Sequence, residues 1–328
     1  MSTPLRRRTF IAGLGATAFT TASGVANAQT PAQAPALPSE VRIGFQKGSS
    51  VLVLIRRQQW IEARLKTLGI TNVKWVEFQF GPPMLEAMGA GAIDLGSVGD
   101  TPPIFAQAGS SNLVYVASTP SAQHAVLVPQ NSTVKTLADL KGKKVAFGKG
   151  SSAQNVAIKA LALGGLTVKD VEQVYLSPAD ATAAFNGGNI DAWVVWDPYF
   201  AIAQEHYKAR VIADTSDKRL ASASYYLAHR DFAAKYPGVL AVVLDEIGNG
   251  TRWSGEHRDE LAALAAEATG IDAKTWSATF ARAEFTFGPV TPAQIAQQQQ
   301  LADTFKSLGI IPRNIKVSEI VWQAPNKL

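Results

Sequence analysis

The sequence has 328 residues, of which 47% are hydrophobic and 17% are charged, and it contains no cysteine. The absence of cysteine excludes disulfide bonds and lipid attachment through an N-terminal cysteine, so the fold must be stabilised by its core. Three of the positive charges behind the formal net charge of +5 are consecutive arginines near the N-terminus, which leaves +2 for the remainder and indicates no nucleic-acid-binding surface.

Residues 1–28 predict a signal peptide. Three arginines at 6–8 precede an apolar run at 10–19, and the small residues Ala-Asn-Ala at 26–28 form a cleavage site. The apolar run is shorter than the roughly 20 residues that a membrane-spanning helix needs. The Arg-Arg-Thr-Phe-Ile stretch at 7–11 is typical of a twin-arginine export signal, and a Sec signal with additional arginines is the alternative. Both predict export to a Gram-negative periplasm.

Residues 29–40 are rich in Pro, Ala and Gln and show no periodicity, which predicts a leader without regular structure. About 290 residues follow this leader. At roughly 150 residues per domain, that length favours two domains.

The remaining chain contains an internal repeat. The motif Lys-Gly-Ser-Ser at 47–50 recurs at 149–152, and each copy follows a short apolar run and precedes a helical pattern. The stretch 87–100 likewise parallels 184–197, and each ends in an aspartate that is followed by proline within two residues. The matched order of the two pairs predicts two related α/β lobes.

Strands alternate with helical segments in both lobes, which is typical of mainly parallel sheets flanked by helices. The predicted strands are residues 41–46, 73–79, 93–98 and 113–118 in lobe I, and 143–147, 172–176, 190–196 and 210–213 in lobe II. Lobe I is expected to comprise 41–123 and 226–328, and lobe II 124–225. The strand-like segments 124–128 and 223–228 are expected to cross between the lobes and to form a hinge. The segment after the second crossing is mostly helical in pattern and is expected to cover lobe I.

The repeat places four turns at the carboxyl ends of strands, where open α/β sheets bind ligands. The turns are those at 49–50, 100–101, 151–152 and 197. Each precedes a helix, whose unpaired N–H groups and partial positive charge favour sulfonate, sulfate, phosphate or carboxylate. The alternative interpretation is that the Ser, Thr and Asp side chains only cap their own helices.

Aromatic residues near the same strand ends predict an apolar wall. Trp193 and Trp196 lie three apart on one strand and therefore face opposite sides, with Trp196 the candidate for the cleft. Phe45, Tyr225 and Tyr226 also fall near the proposed cleft or hinge. An anionic head and an apolar wall together indicate an amphiphilic ligand.

An enzyme would need a set of catalytic residues in a recognisable pattern, and none of the candidate patterns in the sequence meets its requirements. The four histidines lack metal-ligand spacing, so no zinc site or other cofactor is expected. No G-x-S-x-G nucleophile motif occurs, and the glycine-rich turn at 148–151 lacks the Walker order. Asp100 and Asp197 could form an acid–base pair across the cleft, as in a secreted glycoside hydrolase, but capping explains both more simply.

Beyond these features, the chain resembles the substrate-binding subunits of aliphatic sulfonate ABC transporters, in the wider group that includes taurine- and nitrate-binding proteins. The resemblance rests on residues 44–47, 81–83, 85–87, 99–106, 139–146, 149–152 and 196–199. It implies a two-lobed periplasmic-binding-protein fold of type II. It also implies a monomer that passes its ligand to an inner-membrane permease with a cytoplasmic ATPase.

The resemblance further implies a set of ligand-binding residues, to which the turn at 197 adds one. The predicted set is Gln46, Gly81, Gly99, Asp100, Thr101, Ser151, Ser152, Gln154, Trp196 and Asp197. Gln154 stands where many relatives are expected to have histidine. Taurine, nitrate or a thiamine-precursor pyrimidine on the same fold are the alternative ligands, and the sulfonate tail stays open between alkyl, aromatic and amino types.

Overall fold

The computed structural model describes residues 37–323. The predicted signal peptide and most of the predicted leader lie outside the described residues. Its strands are β1 Val41–Phe45, β2 Val73–Glu77, β3 Leu95–Gly99, β4 Leu113–Pro120, β5 His124–Val128, β6 Lys144–Phe147, β7 Glu172–Tyr175, β8 Ala192–Trp196, β9 Arg210–Asp214 and β10 Ala223–His229. Each of the ten predicted strand segments overlaps one of these strands.

The helices are α1 Ser50–Gln58, α2 Trp60–Lys66, α3 Gly81–Gly89, α4 Thr101–Ala108, α5 Ser152–Leu163, α6 Pro178–Asn186, α7 Tyr199–Tyr207, α8 Arg230–Lys235, α9 Pro237–Glu256, α10 Arg258–Thr269, α11 Ala273–Ala281 and α12 Pro292–Ser307. Short 3-10 helices occur at Leu137–Leu140, Val168–Asp170, Lys218–Leu220 and Val317–Ile320. Between residues 37 and 323, no helix combines the length and the apolar character that crossing a membrane requires.

The strands form two five-stranded sheets with the same internal order. The first, in lobe I, runs β2-β1-β3-β10-β4, and the second, in lobe II, runs β7-β6-β8-β5-β9. The repeat detected in the sequence maps β1 onto β6 and β3 onto β8, so equivalent motifs occupy equivalent places. The predicted two-lobed α/β fold is therefore confirmed.

Both sheets are mixed, although mainly parallel sheets were predicted. In lobe I, β1 pairs parallel with β2 and β3, whereas β10 pairs antiparallel with β3 and β4. Lobe II repeats the pattern, with β5 antiparallel to β8 and β9. The antiparallel strand of each sheet arrives from the other lobe, because the chain crosses between the lobes immediately before it.

The two segments predicted as crossings are thus interior strands, and the hinge prediction for them needs correction. The chain crosses instead in the short links 121–123 and 221–222, just before β5 and β10. All five residues of β5 are buried. Apolar strands that are buried on both faces belong inside a sheet, whereas a link between lobes can be polar and irregular.

Buried side chains cover both faces of each sheet and account for four apolar clusters. A fifth cluster joins the C-terminal helices to lobe I, because Trp276 and Phe280 of α11 pack with Leu54 of α1. Helix α11 also contacts α7 of lobe II. The C-terminal helices therefore touch both lobes at one end of the cleft.

Candidate functional site

A cleft of about 150 Å³ lies between the two sheets, at the carboxyl ends of their parallel strands. A cavity of that volume accommodates a molecule of about the size of benzene. Its lining consists of Gln46, Gly48–Val51, Gly81, Ser97–Gly99, Pro102, Thr119–His124, Ser151, Ser152, Trp196, Asp197, Ser224, Tyr226, Thr279, Phe280 and Ala283–Phe285. Both copies of the Lys-Gly-Ser-Ser motif thus reach the same space, one from each lobe.

The turn after β1 is held by the side chain of Gln46. Its amide Nε2 donates to the carbonyl of Ser97 at 2.9 Å, which ties the turn to β3. The hydroxyl of Ser49 accepts from the backbone N–H of Gln46 at 3.3 Å and makes no capping bond to α1. The start of α1 therefore faces the cleft without a capping side chain of its own.

The turn after β6 is the equivalent element of lobe II. Ser151 Oγ donates to the carbonyl of Gly148 at 2.7 Å, and the side-chain oxygen of Gln154 accepts from the N–H of Gly150 at 2.7 Å. Ser151 makes no capping bond either. Among the hydrogen bonds of the described residues, the N–H of Ser152 at the start of α5 donates to no protein acceptor. The first turn of this helix thus keeps a donor for a ligand.

The aspartate after β3 belongs to a buried network between the lobes. Asp100 accepts from the hydroxyl of Thr101 at 2.9 Å, from the amide of Asn155 on α5 at 2.7 Å, and from the hydroxyl of Ser222 at 2.9 Å. Burial raises the pKa of the Asp100 carboxyl, and these hydrogen bonds oppose that shift, as does the charge of Lys159. Asp100 does not line the cleft, and it connects lobe I to α5 of lobe II.

The aspartate after β8 forms an ion pair with the C-terminal helices. Both nitrogens of the Arg282 fork reach Asp197, Nε to Oδ2 at 2.6 Å and Nη2 to Oδ1 at 2.7 Å. Asp197 also accepts from the N–H of Ala201 at 3.1 Å. Burial raises the pKa of the Asp197 carboxyl, and Arg282 opposes that shift. The guanidinium lies 4.0 Å from the ring centre of Phe200.

The structure brings seven of the ten predicted site residues to the cleft wall. They are Gln46, Gly81, Gly99, Ser151, Ser152, Trp196 and Asp197. Asp100, Thr101 and Gln154 are buried behind it and bind other protein groups. The capping interpretation is wrong for Ser49, Ser151 and Asp100, whose side chains find other partners, and right for Asp197.

Glycines allow the two lobes to approach closely at this cleft. A Cβ atom on Gly99 would lie 2.7 Å from Cβ and Oγ of Ser152 in the other lobe. A Cβ on Gly48 would lie 3.1 Å from the carbonyl of Asp197, whereas Gly150 has a left-handed backbone with φ of 72°. The two copies of the repeat therefore need their glycines for different reasons.

Of the predicted aromatic residues, two line the cleft. Trp196 and Tyr226 do so, whereas Trp193, Phe45 and Tyr225 are buried in the cores. Two further aromatics, Phe280 and Phe285, were not predicted and come from the C-terminal helical segment. No local pattern marks that segment as part of the site, because it lies outside the repeat.

The hydrogen-bond donors that the cleft presents to an anion are uncharged. Among its described lining residues none is a lysine or an arginine. Two carboxylates are present, Asp197, which is paired with Arg282, and Glu284, which is exposed. An anion would therefore be held by helix N-termini, N–H groups and hydroxyls. In the described part of the chain, no three His, Asp or Glu side chains are grouped so that they could hold a metal ion.

Comparison with known proteins points in one direction. The model of the NMT1-like family matches residues 34–270. A protein of Escherichia coli (strain K12) that is named for binding aliphatic sulfonates is 42% identical over 289 residues, which are 87% of this chain and 89% of that protein.

Two solved structures agree with this match. The crystal structure of the periplasmic aliphatic sulphonate binding protein SsuA from Escherichia coli is 41% identical, has a TM-score of 0.79, and covers 88% of this chain and 94% of its own. The alkanesulfonate-binding protein SsuA from Xanthomonas axonopodis pv. citri bound to MOPS is 36% identical with a TM-score of 0.83, and covers 88% of this chain and all of its own.

Proposed function

Since the chain belongs to the NMT1-like family and groups there with aliphatic sulfonate-binding proteins, we propose that it is the substrate-binding component of an ABC importer and captures an aliphatic sulfonate between its lobes. It is a binding protein and not an enzyme. Its partners in this role are the sulfonate and a membrane permease with its ATPase.

One observation carries the ligand class: helix N-termini from both lobes meet at a cleft whose described walls hold no lysine or arginine. A sulfonate is a permanent anion with three acceptor oxygens, and it suits several N–H and O–H donors. Hydrogen bonds to a charged group contribute about 1.5–3 kcal/mol each. Four such bonds at the upper end of this range, less an entropic cost of association of about 4 kcal/mol, reach micromolar affinity, about −8 kcal/mol.

The organic tail is expected to lie against the aromatic side of the cleft. Trp196, Tyr226, Phe280 and Phe285 form this side. The Xanthomonas relative was solved with MOPS, a sulfonate with a ring-bearing tail. We propose that the cleft-lining members of the predicted set contact the ligand directly, namely Gln46, Gly81, Gly99, Ser151, Ser152, Trp196 and Asp197. Asp100, Thr101 and Gln154 would act from behind the wall by holding the turns.

The binding experiment is a titration calorimetry panel in Tris and acetate, because common buffers such as MOPS are themselves sulfonates. The panel contains 1-butanesulfonate, taurine, nitrate and a pyrimidine. We expect micromolar binding of 1-butanesulfonate and weaker or no binding of nitrate and the pyrimidine. Binding of another class with no response to any sulfonate would overturn the assignment. The ligand should be recovered unchanged after incubation, as a binding protein requires.

Ligand capture is proposed to close the lobes about the links 121–123 and 221–222, with one lobe binding first. Small-angle scattering of free and 1-butanesulfonate-bound protein should show compaction, and identical profiles would contradict closure. Export to the periplasm by the twin-arginine route and a monomeric state complete the proposal. Replacing both arginines of the 7–11 motif by lysine should abolish export by that route, whereas a Sec-dependent precursor would still be processed.

A further inference from the structure

A histidine of the cleft wall contacts the first hydroxyl of α5. His124 begins β5, and its residue is only 1% exposed. Its Nδ1 lies 2.8 Å from the carbonyl oxygen of Ala122, and its Nε2 lies 2.8 Å from Oγ of Ser152. Ser152 lines the cleft and is itself 7% exposed. The cleft, the Ser152 hydroxyl, the imidazole and a backbone carbonyl therefore form one chain of contacts.

The carbonyl decides which imidazole nitrogen carries a proton. A carbonyl oxygen only accepts hydrogen bonds, so Nδ1 of His124 must be the donor in that contact. In a neutral imidazole the other nitrogen, Nε2, then has a lone pair and accepts. The proton of the Ser152 hydroxyl is consequently directed at His124, and the lone pairs of Ser152 are directed elsewhere. In this state the hydroxyl cannot donate to an anion.

Protonation of the imidazole reverses the contact. With a proton on both nitrogens, Nε2 donates to Ser152 Oγ, and the hydroxyl proton is free to turn toward the cleft. Resting on the proposed function, we propose that His124 is a positioning residue that sets the donor direction of Ser152, so that capture of a sulfonate is coupled to the uptake of one proton. The anion and the imidazolium then stabilise each other through the Ser152 hydroxyl.

The charged groups around His124 are compatible with this coupling. The titratable and charged groups on the elements packed around it, with those just beyond their ends, are Lys159 on α5, Tyr199, Glu205, His206 and Tyr207 on α7, Arg210 and Asp214 on β9, Asp197 after β8 and, in lobe I, Asp100. Burial lowers the pKa of His124 to about 4 in the free protein, and the positive charge of Lys159 adds to that effect. Asp197 is neutralised by Arg282, and Asp214 accepts from the N–H of Ser216 at 2.8 Å. A bound sulfonate would add a permanent negative charge beside the Ser152 hydroxyl.

The pH dependence of sulfonate affinity tests the coupling, because 1-butanesulfonate stays an anion over the whole accessible range. Its affinity is measured by calorimetry between pH 4.5 and 8 in sulfonate-free buffers. We expect the affinity to rise as the pH falls, approaching tenfold per pH unit between the pKa of His124 in the complex and its value in the free protein. The binding heat should also vary with the ionisation enthalpy of the buffer.

Two variants and a control separate this role from a structural one. Ser152→Ala removes the hydroxyl and His124→Gln removes the titrating group, so both should give a flat pH profile. Ser151→Ala is the matched control, because the Ser151 hydroxyl donates to Gly148 and does not contact His124. Whatever its affinity, this variant should retain the pH dependence.

Nitrogen-15 NMR of the histidine rings provides a readout that does not need the variants to fold. His124 should be the neutral Nδ1–H form in the free protein at pH 6 and an imidazolium in the saturated complex. Sulfonate binding with a flat pH profile and a neutral His124 would overturn the coupling and leave the proposed function intact. Failure of any sulfonate to bind at every pH would overturn the proposed function, and the coupling with it.

Discussion

Asp100 and Asp197 follow the third strand of each repeat and occupy equivalent positions. Their buried negative charges are compensated in different ways. Both are buried carboxylates at the end of a central strand. Asp100 is surrounded by neutral donors, which are two hydroxyls and the amide of Asn155. Asp197 instead has the two-pronged ion pair with Arg282. Equivalent local sequence therefore does not determine how a buried charge is compensated.

The two aspartates nevertheless have the same mechanical consequence. Asp100 belongs to lobe I and binds Asn155 of lobe II, whereas Asp197 belongs to lobe II and binds the C-terminal segment. That segment is anchored to lobe I, because Phe280 packs with Leu54. Each lobe thus uses its aspartate to hold the other side of the cleft.

Arg282→Ala should have the largest effect. It would leave the carboxylate of Asp197, whose side chain is 2% exposed, without its counter-charge. Loss of one partner of a buried pair costs about 3–5 kcal/mol of unfolding free energy, which urea unfolding measures. Arg219→Ala is the control, because Arg219 pairs with Asp217 at a 70% exposed position and should matter little. Equal losses in the two variants would contradict a buried, stabilising pair.

The pH dependence of stability should show the opposite titrations of His124 and Asp100. Because burial lowers the pKa of His124 to about 4, the unfolded state binds more protons between that value and about 6.5. Unfolding free energy therefore falls as the pH falls through this window, by roughly 3 kcal/mol from this group.

Asp100 acts in the other direction, because its raised pKa makes the folded state bind protons more tightly above pH 3.8 and lowers stability as the pH rises. The difference between the unfolding free energies of the parent and His124→Gln, measured from pH 4 to 7, isolates the histidine. A constant difference would refute the assigned titration.

Asn155→Ala tests the compensation of the Asp100 charge by neutral donors. It removes one of three side-chain donors from Asp100, and a buried acceptor that loses a partner costs about 1–3 kcal/mol. The unfolding free energy should therefore fall less than in Arg282→Ala. Asn249→Ala, at an exposed position on α9, is expected to change it little. A loss of unfolding free energy as large as that of Arg282→Ala would mean that Asp100 depends on a neutral donor as strongly as Asp197 depends on its ion pair.

Gly99→Ala tests how closely the lobes approach each other, and its expected effect, on ligand affinity, is the smallest of the four. The residue before the aspartate is Gly99 in lobe I and Trp196 in lobe II. Gly99 leaves space for Ser152 of the other lobe, whereas Trp196 contributes an apolar wall to the cleft. The added Cβ would collide with Ser152. We expect 1-butanesulfonate affinity to fall about tenfold, roughly 1.4 kcal/mol. Gly238→Ala, where a Cβ meets nothing within 4 Å, should leave the affinity unchanged.

Elements that depend on neighbouring residues could be predicted from the sequence. The repeat predicted both lobes, the strand segments along each lobe, and the turns 49–50 and 151–152 at the cleft, because alternation of apolar runs and Gly-Ser turns is a local property. The family resemblance extended this to a site in which seven of ten residues line the cleft. No described residue tests the predicted signal peptide.

Pairings between residues far apart in the chain could not be predicted from the sequence and follow from the packed structure. Arg282 meets a carboxylate 85 residues earlier, and His124 meets a hydroxyl 28 residues later. The antiparallel strand β10 enters the sheet of lobe I after the chain has built all of lobe II. Such contacts depend on where packed elements bring their side chains, and neither periodicity nor turn chemistry carries that information. The turns that line the cleft could therefore be predicted from the sequence, and the groups that contact them from distant parts of the chain could not.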